Sequence, residues 1–207
     1  MSNNSIFSIG VFGVSLLVAS FILGGLLIEN YDILSQFISE SYAIGTKYGL
    51  FLRIFGYIPS GILITYFCFL AVKYFQQNIL IKIGFYGIGI FYGITSLVTG
   101  IFPCDSGCNR ELIDPSFSQL IHNYAALLMY VFTPISIIVI GIGLRLTNYT
   151  KLSLIAISCG IISLLFVYLL FSDLTPQLLG LYQRIIESIF IIWILVCAFS
   201  IRNINDV

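Results

Sequence analysis

The chain has 207 residues, nine Lys or Arg against nine Asp or Glu, and no net charge. Hydrophobic residues make up 59% and charged residues 9%, where a soluble domain carries about 25% charged residues. This balance excludes a surface solvated mainly by water, and no nucleic-acid partner is expected.

Apolar runs recur along the chain, each near the roughly 20 residues that carry a helix across a hydrocarbon core of about 30 Å. Period-2 alternation is missing, so the spans read as α-helices that satisfy their own backbone groups rather than as barrel strands. The fold class is therefore all-α: one domain over 1–207, a polytopic bundle of six transmembrane helices at about 6–28, 50–74, 80–101, 119–144, 152–171 and 178–201.

The first span has no Lys or Arg before it and is too long for a signal core, so it reads as a retained helix. Its glycines, Gly10, Gly13, Gly24 and Gly25, suit close helix packing. The following loop places Ile33, Leu34, Phe37 and Ile38 at a spacing that predicts a short amphipathic helix lidding the bundle. In the second span Pro59 removes a backbone donor and predicts a kink, and Arg53 lies about two turns earlier. The third span carries the Gly89-x-x-x-Gly93 helix-contact pattern and stops at Pro103.

Asp114-Pro115 reads as an N-cap with proline at the first helical position, which puts His122, the single histidine, roughly 10 Å down the fourth span. Thr133-Pro134 marks a second kink site. The fifth span varies only through Ser, Thr and Cys and reads as a packing helix. Thr175-Pro176 repeats the cap-and-proline device before the sixth, so Gln183, Arg184 and Glu187 fall on its early turns. Arg184 and Glu187, three apart, share a face and are expected to pair.

Placement of Lys and Arg sets the topology. With both termini in the cytoplasm, the inner side carries Lys73, Lys82, Arg145, Lys151 and Arg202, with Asp206. The outer side mixes Lys47, Arg53, Arg110 and Arg184 with Glu29, Asp32, Glu40, Asp105, Glu111, Asp114, Asp173 and Glu187. The expected location is the cell membrane, with the acidic, cysteine-bearing face outward.

Three stretches carry a resemblance: Ser-Gln-Phe-Ile-Ser-Glu (35–40), Phe-Pro-Cys-Asp-Ser-Gly-Cys (102–108) followed by His122, and Gln183-Arg184 with Glu187 and Trp193. With them the chain resembles the membrane proteins grouped as domain of unknown function 998, over nearly its whole length. The resemblance implies a six-helix domain without an assigned activity. The layout is more distantly similar to the Frag1/DRAM/Sfk1 group, which suggests lipids.

Cys68, Cys159 and Cys197 fall mid-span and read as small buried hydrophobes. Cys104 and Cys108 share an outer loop where oxidation is open to them, and a disulfide is the expected state. Free thiols, or metal ligation with Asp105 or His122, are the alternatives; Cys-x-x-x-Cys is not a standard zinc spacing, and neither metal nor cofactor is assigned.

Polar groups from the second, fourth and sixth spans and from two loops reach one outer level, where ionisable groups in a membrane usually face the interior. They predict a pocket for a lipid headgroup or other small anionic group, with Arg53, Arg184, Glu40 and Gln183 as binding residues. A membrane-embedded lipid hydrolase or transferase is the alternative, with His122 as general base and Asp105 or Glu187 orienting it. A third reading is a structural partner of another membrane protein. Membrane lipids are the expected partners. Side by side, His122 and the Arg184/Glu187 pair would form the site with Asp105 folded over them.

Overall fold

Each apolar run folds as a helix because in hydrocarbon a backbone N–H or C=O finds no partner outside its own segment. The computed structural model describes residues 1–75, 78–172 and 174–203. Its six membrane-length helices are α1 (Asn3–Leu27), α2 (Gly49–Ala71), α3 (Ile79–Ile101), α4 (Phe117–Leu146), α5 (Thr150–Phe171) and α6 (Pro176–Asn203). No strand forms among the described residues, and the protein is a multi-pass membrane protein. Asp173 and Asp206, counted above as loop and tail charges, lie outside the described residues.

Packing follows chain order. Each helix lies against the next, and α6 returns to α1 to close a ring. The seam between first and last helix is marked at the end holding the termini, where Phe7 meets Phe199 edge to face at 5.0 Å and Arg202 lies over the Phe7 ring. Leu26, Phe55, Phe117 and Leu165 point outward, more than half exposed, as a lipid-facing surface requires.

Small residues set the closest approach. A Cβ on Gly61 would sit 2.7 Å from both the Gly93 carbonyl oxygen and the Leu97 nitrogen, so α2 and α3 touch backbone to backbone. The Thr65 hydroxyl donates across that contact to Gly89 O at 3.3 Å, and Ser60 donates to Gly13 O of α1 at 2.8 Å.

Two helices widen locally. In α2 a π-helical turn covers Arg53–Tyr57, with the Ile58 N–H reaching the Arg53 carbonyl. It adjoins Pro59, which has no N–H to continue the ladder, and the wide turn absorbs that break. In α3 a second π segment spans Gly89–Ile94. By contrast α4 runs unbroken through Pro134.

The two expected proline caps need correction. The N-cap of α4 is Ser116, whose hydroxyl accepts the Gln119 N–H at 3.1 Å. Asp114 instead sits in the left-handed region at φ 44°, so the helix starts at Phe117 and His122 is only about 7.5 Å down it. At α6 Thr175 makes no capping bond; its hydroxyl pairs with Tyr182 OH at 2.7 Å, and Pro176–Leu178 is a 3-10 turn before the helix proper, Leu179–Asn203.

Candidate functional site

The loop after α1 forms a lid, though not as the expected amphipathic helix. Ile33 and Leu34 lie about half exposed in one turn, while Ile38 is buried in a separate 3-10 turn, Ile38–Tyr42. The four apolar residues thus belong to two turns facing different ways. The lid is bolted to the start of α6. Leu181 N–H donates to Leu34 O at 2.9 Å, Ile38 N–H donates to Gln183 Oε1 at 2.6 Å, and Arg184 donates to Gln36 O at 2.9 Å and Tyr31 OH at 2.8 Å. Burial pushes the Tyr31 phenol up, with Arg184 pulling the other way.

Glu40 works within the lid. Its carboxylate accepts the Phe37 N–H and the Gln36 amide, each at 2.9 Å, and pairs with Arg110 at 2.9 Å. Arg110 also donates to Ser35 O and lies over the Phe37 ring at 4.3 Å, so it ties the cysteine loop to the lid.

In that loop Gly107, Cys108 and Asn109 all have positive φ, at 66°, 54° and 29°, a turn that brings Cys108 back upon Cys104. The two sulfurs lie at disulfide-bonding distance, with Cα atoms 4.8 Å apart. Cys104 is fully buried and Cys108 nearly so. Ser39 of the lid approaches Cys108 Sγ at 3.2 Å, and Ile44 N–H donates to Cys104 O at 2.9 Å.

The start of α4 holds the loop from below. Gln119 accepts the Asp105 N–H at 2.7 Å and donates to Cys108 O, while Asp105 Oδ2 accepts the Ser116 N–H at 3.0 Å. Those Ser116 bonds hold the Asp105 carboxyl below the usual aspartate range. His122 Nδ1 bonds the Phe102 carbonyl at 3.0 Å. A carbonyl only accepts, so Nδ1 carries the proton in this bond.

Under the lid lies a cavity of about 730 Å³, within the 300–1,000 Å³ usual for ligand pockets. All six helices reach it. Its lining is mixed: Leu17, Phe21, Leu170 and Phe171 are apolar, while His122, Gln183 and Glu187 bring polar groups to the same cavity. Glu187 is the deepest acid, eight residues beyond Leu179 and so about 12 Å below the helix start. Its two carboxyl oxygens take one phenol each, Tyr92 OH at 2.9 Å and Tyr130 OH at 3.0 Å, and Gln183 donates to the Tyr130 oxygen at 2.7 Å.

Tyr92 reaches Glu187 from the π segment of α3. Tyr130 starts lower on α4, but its Cα–Cβ bond leans toward the helix N-terminus and carries the phenol up. Nearby, the Tyr57 hydroxyl is buried without a partner among the described residues.

Of the residues expected at the site, His122, Gln183 and Glu187 line one cavity. The others lie elsewhere. Arg184 turns to the lid and forms no ion pair with Glu187; among the described residues the ion pair is Arg110–Glu40. Arg53 donates to Gly49 O of its own helix, and Asp105 accepts the Ser116 N–H ahead of α4 instead of covering the histidine. Neither Asp105 nor Glu187 is bonded to His122, whose ring is oriented by the Phe102 carbonyl. Tyr92, Tyr130 and Arg110 are the residues sequence reading missed.

A protein family described as "Protein of unknown function (DUF998)" matches residues 11–200. No curated protein and no solved structure matches the chain.

Proposed function

We propose, starting from a chain that belongs to the DUF998 family and so inherits no assigned activity, that its cavity binds the polar end of a lipid-like amphiphile. The observation that carries this reading is the mixed lining of the cavity. A buried carboxyl, bonded to two phenols, shares a cavity of about 730 Å³ with aliphatic and aromatic side chains. An alkyl chain fits the apolar lining, and a headgroup rich in donors fits Glu187, whose oxygens keep unused acceptor sites. The acid at the bottom favours a hydroxyl or amine headgroup. An anionic headgroup would have to stay near Arg110 at the rim, since Arg53 and Arg184 do not line the cavity.

Dodecylamine, dodecanol and dodecyl phosphate, titrated into the purified protein and followed by native mass spectrometry, separate these readings. The amine and alcohol should bind, and Glu187→Gln should weaken the amine about tenfold or more, the loss of one charge-assisted hydrogen bond. Tighter binding of the phosphate, unaffected at Glu187 and lost in Arg110→Ala, would restore the anionic reading. No binding by any of the three would end the proposal.

The same reading puts the lid and cysteine loop outside the cell membrane and both termini in the cytoplasm, supported by the Lys and Arg near the terminal end. A phosphatase fused after Val207 should be inactive, and an active fusion would reverse the orientation.

A further inference from the structure

The cavity lining holds a second polar group besides Glu187. One sulfur from each of Cys104 and Cys108 and one ring nitrogen of His122 lie within 4.8 Å of one another, and all three residues are buried. Two soft sulfurs and an imidazole form the Cys₂His donor set that zinc takes when it keeps a fourth position open. The histidine is prepared for this. Its ring is held on the Phe102 carbonyl through Nδ1 at 3.0 Å, the kind of outer contact that orients metal-bound histidines. Both Cys108 and His122 line the cavity, so a fourth position can open onto it.

With the sulfurs joined, no thiolate is available. We propose that Cys104, Cys108 and His122 form a redox-gated site for a thiophilic divalent cation of the zinc class, closed as the disulfide and opened by reduction. An external dithiol supplies two electrons and two protons; its own sulfurs join, the Cys104–Cys108 bond breaks, and two thiols result. Zn²⁺ then displaces both thiol protons to solvent, bonding two thiolates and the imidazole nitrogen.

The gate couples to the lid, because Ser39 leans on Cys108 Sγ at 3.2 Å and Ile44 hangs from the Cys104 carbonyl. The site does not depend on what the rest of the cavity binds, since its residues differ from those that meet the proposed amphiphile at Glu187.

The test uses the full chain in detergent, with Co²⁺ as the spectroscopic probe. After reduction with a phosphine and removal of oxygen, the protein should take up one equivalent of Co²⁺. It should show thiolate-to-cobalt charge transfer with tetrahedral d–d bands, all bleached by Zn²⁺. The oxidised protein should show none of these signals. Cys104→Ser should abolish the charge-transfer band, and His122→Gln should keep it with altered d–d bands and weaker retention. Failure of the reduced wild-type protein to bind Co²⁺, or binding with an octahedral spectrum lacking charge transfer, would overturn the site. That comparison needs no variant, so a misfolded mutant cannot obscure it.

Discussion

Arg184 spends its guanidinium on lid carbonyls and the Tyr31 hydroxyl, so its substitution should read out as lid motion before it reads out as lost binding. Arg184→Ala should cost about 1.5–3 kcal/mol, the usual range for hydrogen bonds to a charged group. It should also speed amide exchange across residues 31–42 by mass spectrometry. Lysine should restore little, because one ammonium cannot span carbonyl and phenol as a planar fork does. Unchanged exchange would show the bolt to be idle. Asp105 offers a pH signature. Its carboxyl titrates below the ordinary value in the folded chain, so its bond to Ser116 adds stability above the usual aspartate pKa. That contribution disappears as pH falls through the folded value. Asp105→Asn should flatten the acid-side rise in exchange over residues 105–119.

At this scale part of the site was legible. His122, Gln183 and Glu187 stand out because polar and ionisable groups are rare in hydrocarbon and turn inward. Tyr92 and Tyr130 do not, because the chain has 13 tyrosines and interfacial anchoring explains most such residues equally well. A helical signal was present, since Tyr130 follows Asn123, a polar residue that also lines the cavity, by seven residues and so shares its face. The partner of Arg184 was unreadable for another reason. It is a loop carbonyl 148 residues away, and backbone acceptors leave no mark in sequence.

Element boundaries followed from hydropathy, while helix starts were decided by local competition. Asp-Pro and Thr-Pro both look like entry signals, yet the left-handed backbone at Asp114 hands the cap to Ser116, and Tyr182 takes the Thr175 hydroxyl. The π segments were likewise invisible, because a proline or glycine announces a break without saying how it is absorbed. The α2–α3 contact gives a sharp packing prediction. Gly61→Val would push two methyls into the Gly93 and Leu97 backbone, which cannot move as a side-chain tip can. Overpacking of about 1–3 kcal/mol or more should lower the thermal midpoint in detergent, whereas Gly107→Ala, with open space around it, should show only the cost of its left-handed backbone. Equal losses at both sites would contradict the close approach.

Across the whole molecule, each helix packs on its neighbour in the chain, and a single seam, α6 against α1, closes the ring. The lid belongs to the first third of the sequence, yet Gly180, Leu181, Gln183 and Arg184 of the last helix fasten it. A chain stopped after Phe171 should therefore leave residues 31–42 open to protease in isolated membranes, where the full chain resists; equal resistance would show that the lid holds without α6. This arrangement has a consequence for biogenesis. During synthesis the first five helices can enter the bilayer and pack in order, while the cavity stands unroofed until the sixth arrives. The sixth helix is thus the latch, and a cell that surveys its membranes for exposed lid segments would be reading, in one loop, whether that helix had arrived.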